Sequence, residues 1–219
     1  MASQLPAVMR AARTALLRGP YLIVNEGTLD PVVLTRASLR AGIRVLQYRA
    51  KRGIDPERLH TLRTLTLGEG ALLIVNDDID AAIAFDCDGV HLGPDDGAFD
   101  DLRTVRERLG ERLIGISAGT PDEGRSAERA GADYVGIGAV YATTSKDDAG
   151  AAIGLDGLRA VAEACALPAA AIGGIGPANI AEVARTGVAM AAVISAIAAA
   201  LDPERAARGL VETWNRART

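Results

Sequence analysis

Short apolar runs alternate with longer amphipathic segments along the chain, and this alternation sets the first expectation. Eight runs, at residues 21–25, 45–49, 72–76, 89–92, 113–117, 134–140, 169–173 and 189–195, are apolar on both faces. That is the pattern of parallel strands covered on both sides. Between and after them, residues 28–41, 56–67, 79–85, 102–109, 122–130, 155–165, 177–185 and 203–214 carry apolar positions three or four apart, as helices packed on one face do. A short helix is expected ahead of the first strand.

The punctuation agrees with the periodicity. Asp55-Pro56, Thr120-Pro121 and Asp202-Pro203 each set a capping side chain before a proline suited to the first helical turn. Gly42, Gly131 and Gly187 each follow a helical segment, where a glycine can take the left-handed conformation. Strand and helix alternating eight times predict an α/β protein, a single (β/α)8 TIM barrel spanning residues 1–219. The alternative is a doubly wound open sheet, but no Gly-x-Gly-x-x-Gly follows the first strand.

A barrel brings the C-terminal ends of its strands to one mouth, where barrel active sites form. Polar residues gather at those ends: Gln47, Arg49 and Lys51 after the second strand, Asn76 and Asp77 after the third, and Asp96 beyond the fourth. Ser117 ends the fifth, and Thr143, Ser145 and Lys146 follow the sixth. Gly173-Gly174 and Ser195 close the last two.

Composition narrows the chemistry. Aromatic residues make up only 3% of the chain, so aliphatic side chains must fill the interior. A net charge of −4 argues against non-specific nucleic-acid binding, though it says nothing of one local cationic cleft. Two cysteines, Cys87 and Cys165, lack metal-binding or redox spacing and read as free thiols in a reducing compartment. With only His60 and His91, a multi-histidine metal centre is excluded, and His91 reads as a satisfied barrel histidine rather than a general base. The first eighteen residues lack a signal-peptide core, and the apolar stretch 189–201 is short of the ~20 residues a membrane span needs. A cytoplasmic protein is expected.

Three constellations carry candidate chemistry. Gln47, Arg49 and Lys51 share one face of a strand, and two neighbouring cations suit an anion between them; a solvated strand end is the plain alternative. Asp77 and Asp96 end adjacent strands, where carboxylates could hold a hard divalent cation, although Asp78 and Asp95 also suit helix caps or turns. The glycine-rich segment 171–176 and the Ile194-Ser195 pair fall where barrels bind phosphate through backbone amides. No nucleophilic triad is present.

Taken together, the strings LQYRAK, VNDD, DGVHLGPDD, ADYVGIGAVYATTSK and AIGGI, in this order, resemble the thiamine-phosphate synthase (thiamin-phosphate pyrophosphorylase) family. The resemblance implies a magnesium-dependent transferase that joins hydroxymethylpyrimidine diphosphate to a thiazole phosphate, releasing diphosphate through a dissociative, carbocation-like step. It assigns Gln47, Tyr48, Arg49, Ala50, Lys51, Asn76, Ser117 and Lys146 to the pyrimidine diphosphate, and Asp77 and Asp96 to Mg2+. Thr143, Thr144, Ser145, Gly174, Ile194 and Ser195 go to the thiazole phosphate, and Arg49, Lys51 and Lys146 to stabilising the leaving charge. The chain departs from the family pattern at Pro94, where Gln is common, and at Ala139, where Pro is common. The partners implied are small molecules, not nucleic acid or membrane, with a homo-oligomer left open. Two rivals remain: a related thiazole tautomerase, which uses a histidine where this chain has Ser117-Ala-Gly-Thr120, and a non-catalytic barrel that binds a phosphorylated metabolite.

Overall fold

The computed structural model describes residues 4–27, 29–93, 102–143 and 151–219. Eight strands pair in parallel in chain order, β1 (Gly19–Asn25), β2 (Val45–Arg49), β3 (Leu72–Asn76), β4 (Gly89–Leu92), β5 (Leu113–Ala118), β6 (Tyr134–Ile137), β7 (Ala169–Ala171) and β8 (Met190–Val193). Last pairs with first, so the sheet is a closed barrel. The helices are α1 (Gln4–Thr14), α2 (Pro31–Arg40), α3 (Pro56–Gly68), α4 (Ile79–Ala84), α5 (Leu102–Leu109), α6 (Pro121–Ala130), α7 (Gly154–Glu163), α8 (Ile180–Arg185), α9 (Ser195–Ala198) and α10 (Pro203–Ala217).

The twofold alternation of each strand sorts its side chains into two cores. Leu22, Val24, Leu46, Tyr48, Leu73 and Val75 point outward and pack with the helices in one large cluster. Tyr21, Ile23, Val45, Leu72, Ile74, Leu113, Tyr134 and Met190 point inward and fill the barrel. Apolar residues on both faces of a strand are therefore required, which is why the runs look continuous in the sequence.

Local chemistry sets the helix limits. Asp55 accepts from the amides of Glu57 and Arg58, and Asp202 from that of Arg205, each just ahead of a proline. Thr120 and Glu123 form a reciprocal capping box at α6. The second helix starts at Pro31, not at residue 28, because Asp30 caps it through the amides of Val32 and Val33. Gly42, Gly131 and Gly187 all have φ near +90° (99°, 90° and 88°), so the left-handed stops read from the sequence are present.

Three strands end earlier than their apolar runs, β7 among them, which stops at Ala171 where the run extends to residue 173. β6 stops at Ile137, although Val140 and Tyr141 donate to the carbonyls of Ile172 and Gly173 beyond the strand. β8 stops at Val193, and the chain turns into α9, so Ser195 begins a helix instead of ending a strand. A short apolar run reads alike in either state, which is why that turn was not foreseen.

The N-terminal end of the barrel is closed by ion pairs. Asp88, just before β4, accepts from Arg13 of α1 at 3.2 Å, from Arg63 of α3 at 2.9 Å and from the amide of Leu73 at 3.0 Å. Leu17, after α1, joins the barrel interior. Among the described residues no helix is long and apolar enough to cross a membrane.

Candidate active site

At the opposite end the barrel opens into a cavity of about 420 Å³. Its rim consists of residues at or just past the C-terminal ends of strands. Arg49, Asn76, Asp77, Ser117 and Gly119 come from β2, β3 and β5 and their following loops. Thr143, Gly173, Gly174, Ile175, Ile194 and Ser195 come from the β6, β7 and β8 side. Tyr21, Gln47, His91, Gly136, Ala170 and Ala192 lie deeper.

The first wall is polar and cationic. Gln47 is buried and Arg49 half-buried, both inward by the parity of β2, whose register sets Gln47 against Ile23 and Arg49 against Asn25. Asp77 holds φ at +62°, a left-handed conformation that aspartate tolerates better than most residues. Its amide donates to the carbonyl of His91 at 3.0 Å, and the Asn76 side-chain amide donates to its carboxylate. A non-glycine residue kept in that region by its neighbours is a common mark of a working position.

The second wall is built around missing side chains. Gly173 and Gly174 have φ of +99° and +63°. A Cβ on Gly173 would meet Ala139 at 2.7 Å, and one on Gly174 would meet the carbonyl of Ala142 at 2.6 Å. Glycine is thus required at both by space and by dihedral, and it leaves the backbone bare toward the cavity. Asn179 braces this loop, donating to the Gly174 carbonyl at 2.9 Å and accepting from the Gly176 amide at 2.8 Å.

The floor is a chain of polar groups. Gln47 Nε2 donates to the Tyr21 hydroxyl at 2.7 Å, which lies 3.2 Å from the Tyr134 hydroxyl. His91 Nδ1 is 3.1 Å from the Tyr134 hydroxyl, and His91 Nε2 is 3.2 Å from Ser117 Oγ. Burial pushes both phenols well above their ordinary value near 10.0, so both remain protonated at neutral pH. The sequence reading passed over Tyr21, Tyr134 and Glu123 as site elements. Glu123 also lines the cavity, while its carboxylate accepts from the amides of Gly119 and Thr120.

Three residues assigned to the pyrimidine diphosphate sit away from this cavity. Tyr48 faces the helices, and its hydroxyl donates to Glu26 at 2.9 Å, so its side chain is turned from the mouth. Ala50 packs against the outer core, and the Lys51 side chain is exposed on the turn after β2. Asp96, Thr144, Ser145 and Lys146 lie outside the described residues.

The family model for thiamine monophosphate synthase matches residues 20–197, which takes in all eight strands apart from Gly19 of β1. The chain belongs to that family. It is 50% identical over 188 residues to the thiamine-phosphate synthase of Archaeoglobus fulgidus, covering 84% of this chain and 86% of that protein. It is 47% identical to the enzyme of the same name from Natronomonas pharaonis, covering 89% of this chain and 94% of the relative. Among solved structures, the thiamine phosphate pyrophosphorylase from Pyrococcus furiosus superposes with a TM-score of 0.82 at 36% identity, over 93% of this chain and 98% of that one.

Membership makes the metal question specific. Magnesium takes few protein ligands, keeps several waters and shares phosphate oxygens with its substrate. Asp77 supplies a hard oxygen donor on the rim of the cavity that Arg49 also lines, and such a donor suits this cation. No group of three or more His, Cys, Asp or Glu side chains that could cage a metal exists among the described residues. The chain's only two lysines, Lys51 and Lys146, both belong to the set assigned to the leaving charge, whereas the other cationic side chains are all arginine.

Proposed function

We propose that this chain condenses hydroxymethylpyrimidine diphosphate with thiazole phosphate to give thiamine phosphate and diphosphate. The observation that carries the reading is one cavity lined by residues from both sets that the resemblance assigns, in a chain half identical to a thiamine-phosphate synthase. Gln47, Arg49, Asn76 and Ser117 line one side, and Thr143, Gly174, Ile194 and Ser195 the other.

In the first step the bond from the pyrimidine methylene carbon to the diphosphate oxygen breaks, and its electron pair leaves with the diphosphate. The aminopyrimidine ring delocalises the resulting cation. Arg49 on the cavity rim stabilises the charge growing on the leaving group, an electrostatic contribution specific to the transition state; the resemblance adds to that role Lys51, which lies outside the cavity lining, and Lys146. Asp77, with Asp96, would hold magnesium, which when bound neutralises diphosphate charge as a Lewis acid. In the second step the thiazole nitrogen donates its lone pair to the methylene carbon, forming the carbon–nitrogen bond. The glycine-lined wall anchors the thiazole phosphate, so that nitrogen meets the cation without a diffusive search. No protein nucleophile enters the balance.

The test is direct: purified protein, magnesium and both substrates, followed for thiamine phosphate and diphosphate in equal amounts. Isomerisation of the thiazole without condensation would replace this reading with that of a tautomerase. Binding of either phosphate ester with no turnover would favour a non-catalytic barrel.

A further inference from the structure

We propose that the buried chain Gln47–Tyr21–Tyr134–His91–Ser117 is a one-way hydrogen-bond relay in which His91 is a positioning residue, setting the Ser117 hydroxyl as a donor into the cavity. This rests on the function proposed above and assigns work to three residues, Tyr21, Tyr134 and His91, that the mechanism leaves unused.

The direction follows from its first member. The Gln47 side-chain amide can only donate through Nε2, so Tyr21 accepts there and passes its own proton to Tyr134. Tyr134 then passes its proton to His91 Nδ1, which must be the bare nitrogen. The imidazole proton therefore sits on Nε2 and points at Ser117 Oγ. Ser117, having accepted, has its own proton to give to an acceptor atom of the pyrimidine diphosphate. In the opposite direction Tyr21 would accept twice, and its buried proton would have no acceptor among the described residues.

The barrel is shaped around this chain. A Cβ on Gly115 would meet the Tyr134 ring at 2.1 Å, and one on Gly136 would meet His91 Cε1 at 2.9 Å. Both glycines stand on central strands, where the residue type is costly unless something must approach closely. The Tyr21 and Tyr134 rings meet edge to face at 74°, and the His91 ring lies 5.5 Å from that of Tyr134. A half-turn of the His91 ring would put carbon atoms where Nδ1 and Nε2 now meet Tyr134 and Ser117.

Nitrogen-15 NMR of histidine-labelled protein tests the direction without substrate. His60 is exposed on α3, so His60→Asn leaves His91 as the sole signal. The proton is expected on Nε2, and Tyr134→Phe should shift the Nδ1 resonance by removing its donor. A proton on Nδ1, protons on both nitrogens, or a spectrum untouched by Tyr134→Phe would overturn the relay. The wild-type spectrum decides even where that variant does not fold.

The kinetic consequence is a double-mutant cycle. Tyr134→Phe should lower kcat/KM for the pyrimidine diphosphate roughly tenfold, about 1.4 kcal/mol, and leave KM for the thiazole phosphate unchanged. Ser117→Ala should lose at least as much, and adding Tyr134→Phe to it should cost nothing more. Fully additive losses, or equal effects on both substrates, would overturn the role given to His91. Wild-type protein that makes no thiamine phosphate would count against the proposed function, while the spectrum still decides the direction of the relay.

Discussion

The two ends of the barrel use charge in opposite ways. At the N-terminal end a buried carboxylate, Asp88, is saturated: two arginines and a backbone amide converge on it, and α1 brings one of those arginines. At the C-terminal end charge faces an open cavity, with Arg49 half-buried and Asp77 exposed on its rim. Charge enclosed by protein partners fixes a structure, whereas charge facing a cavity can also meet a ligand. The same eight strands thus divide stability from chemistry along their length.

The comparison breaks most visibly at the closed end. Asp88→Ala takes from Arg13 and Arg63 the carboxylate they share, leaving Arg63 only its longer pair with the exposed Asp86 at 3.8 Å, and breaking a buried pair of this kind costs about 3–5 kcal/mol. Urea unfolding should show that loss, while kcat of the protein that remains folded stays near wild type. A large fall in kcat with unchanged stability would erase the division between the ends.

Arg49→Ala is the reciprocal change. Removing one preorganised donor to a developing negative charge lowers kcat by about 10²–10³, or ~2.7–4 kcal/mol. Its thermal midpoint should barely move, because Arg49 lines the cavity and leaves the outer core intact. Steady-state kinetics beside a melting curve reads both.

Gly174→Ala falls between the two. A Cβ there must move off the Ala142 carbonyl, and φ of +63° is disfavoured for alanine by roughly 1–2 kcal/mol. The expected result is a modestly lower melting point with KM raised for the thiazole phosphate alone. Equal effects on both substrates would show that the two walls are not separate half-sites.

The strands and most helix caps were legible in the sequence, because local rules decide them; the closed end was not, because Arg13 and Arg63 reach Asp88 from distant helices. β2, β3 and β4 fall where the apolar runs at 45–49, 72–76 and 89–92 place them, each ended by a polar or glycine residue. The rim was legible in outline for a different reason: charged residues at strand ends are out of place unless a barrel gathers them. The floor was not. Tyr21 and Tyr134 are inward residues at period two, no different from core positions until closure brings β1 and β6 across from each other. The clue lay in Gly115 and Gly136, mid-strand glycines whose missing side chains make room for rings from other strands. The turn into α9 was hidden because Val193, Ile194 and Ile197 satisfy strand and helix patterns equally.

The smallest effect per unit of perturbation separates the ends by pH. Burial raises the Cys87 thiol, next to Asp88, from an ordinary 9.0 to about 12, and raises the Tyr21 and Tyr134 phenols above their ordinary 10.0. In each case the folded state holds its proton longer than the unfolded chain does. Each group therefore contributes stability fully below its unfolded pKa and loses it as pH climbs toward the folded one. The slope per group is at most about 1.4 kcal/mol per pH unit. Cys87 should begin the decline near pH 9 and the tyrosines should steepen it above pH 10. Tyr48 and Tyr141 are also raised, so the decline above pH 10 is shared among the phenols, while the chain has only two lysines. Urea midpoints measured from pH 8 to 11 should show Cys87→Ala removing the earlier decline and leaving the later one. Tyr134→Phe should leave the earlier decline and make the later one shallower, because Tyr21 still titrates there; the thiol belongs to the closed end and the phenols to the floor of the open one. A decline that both variants alter in the same pH range would mean that the two ends open together before either proton leaves.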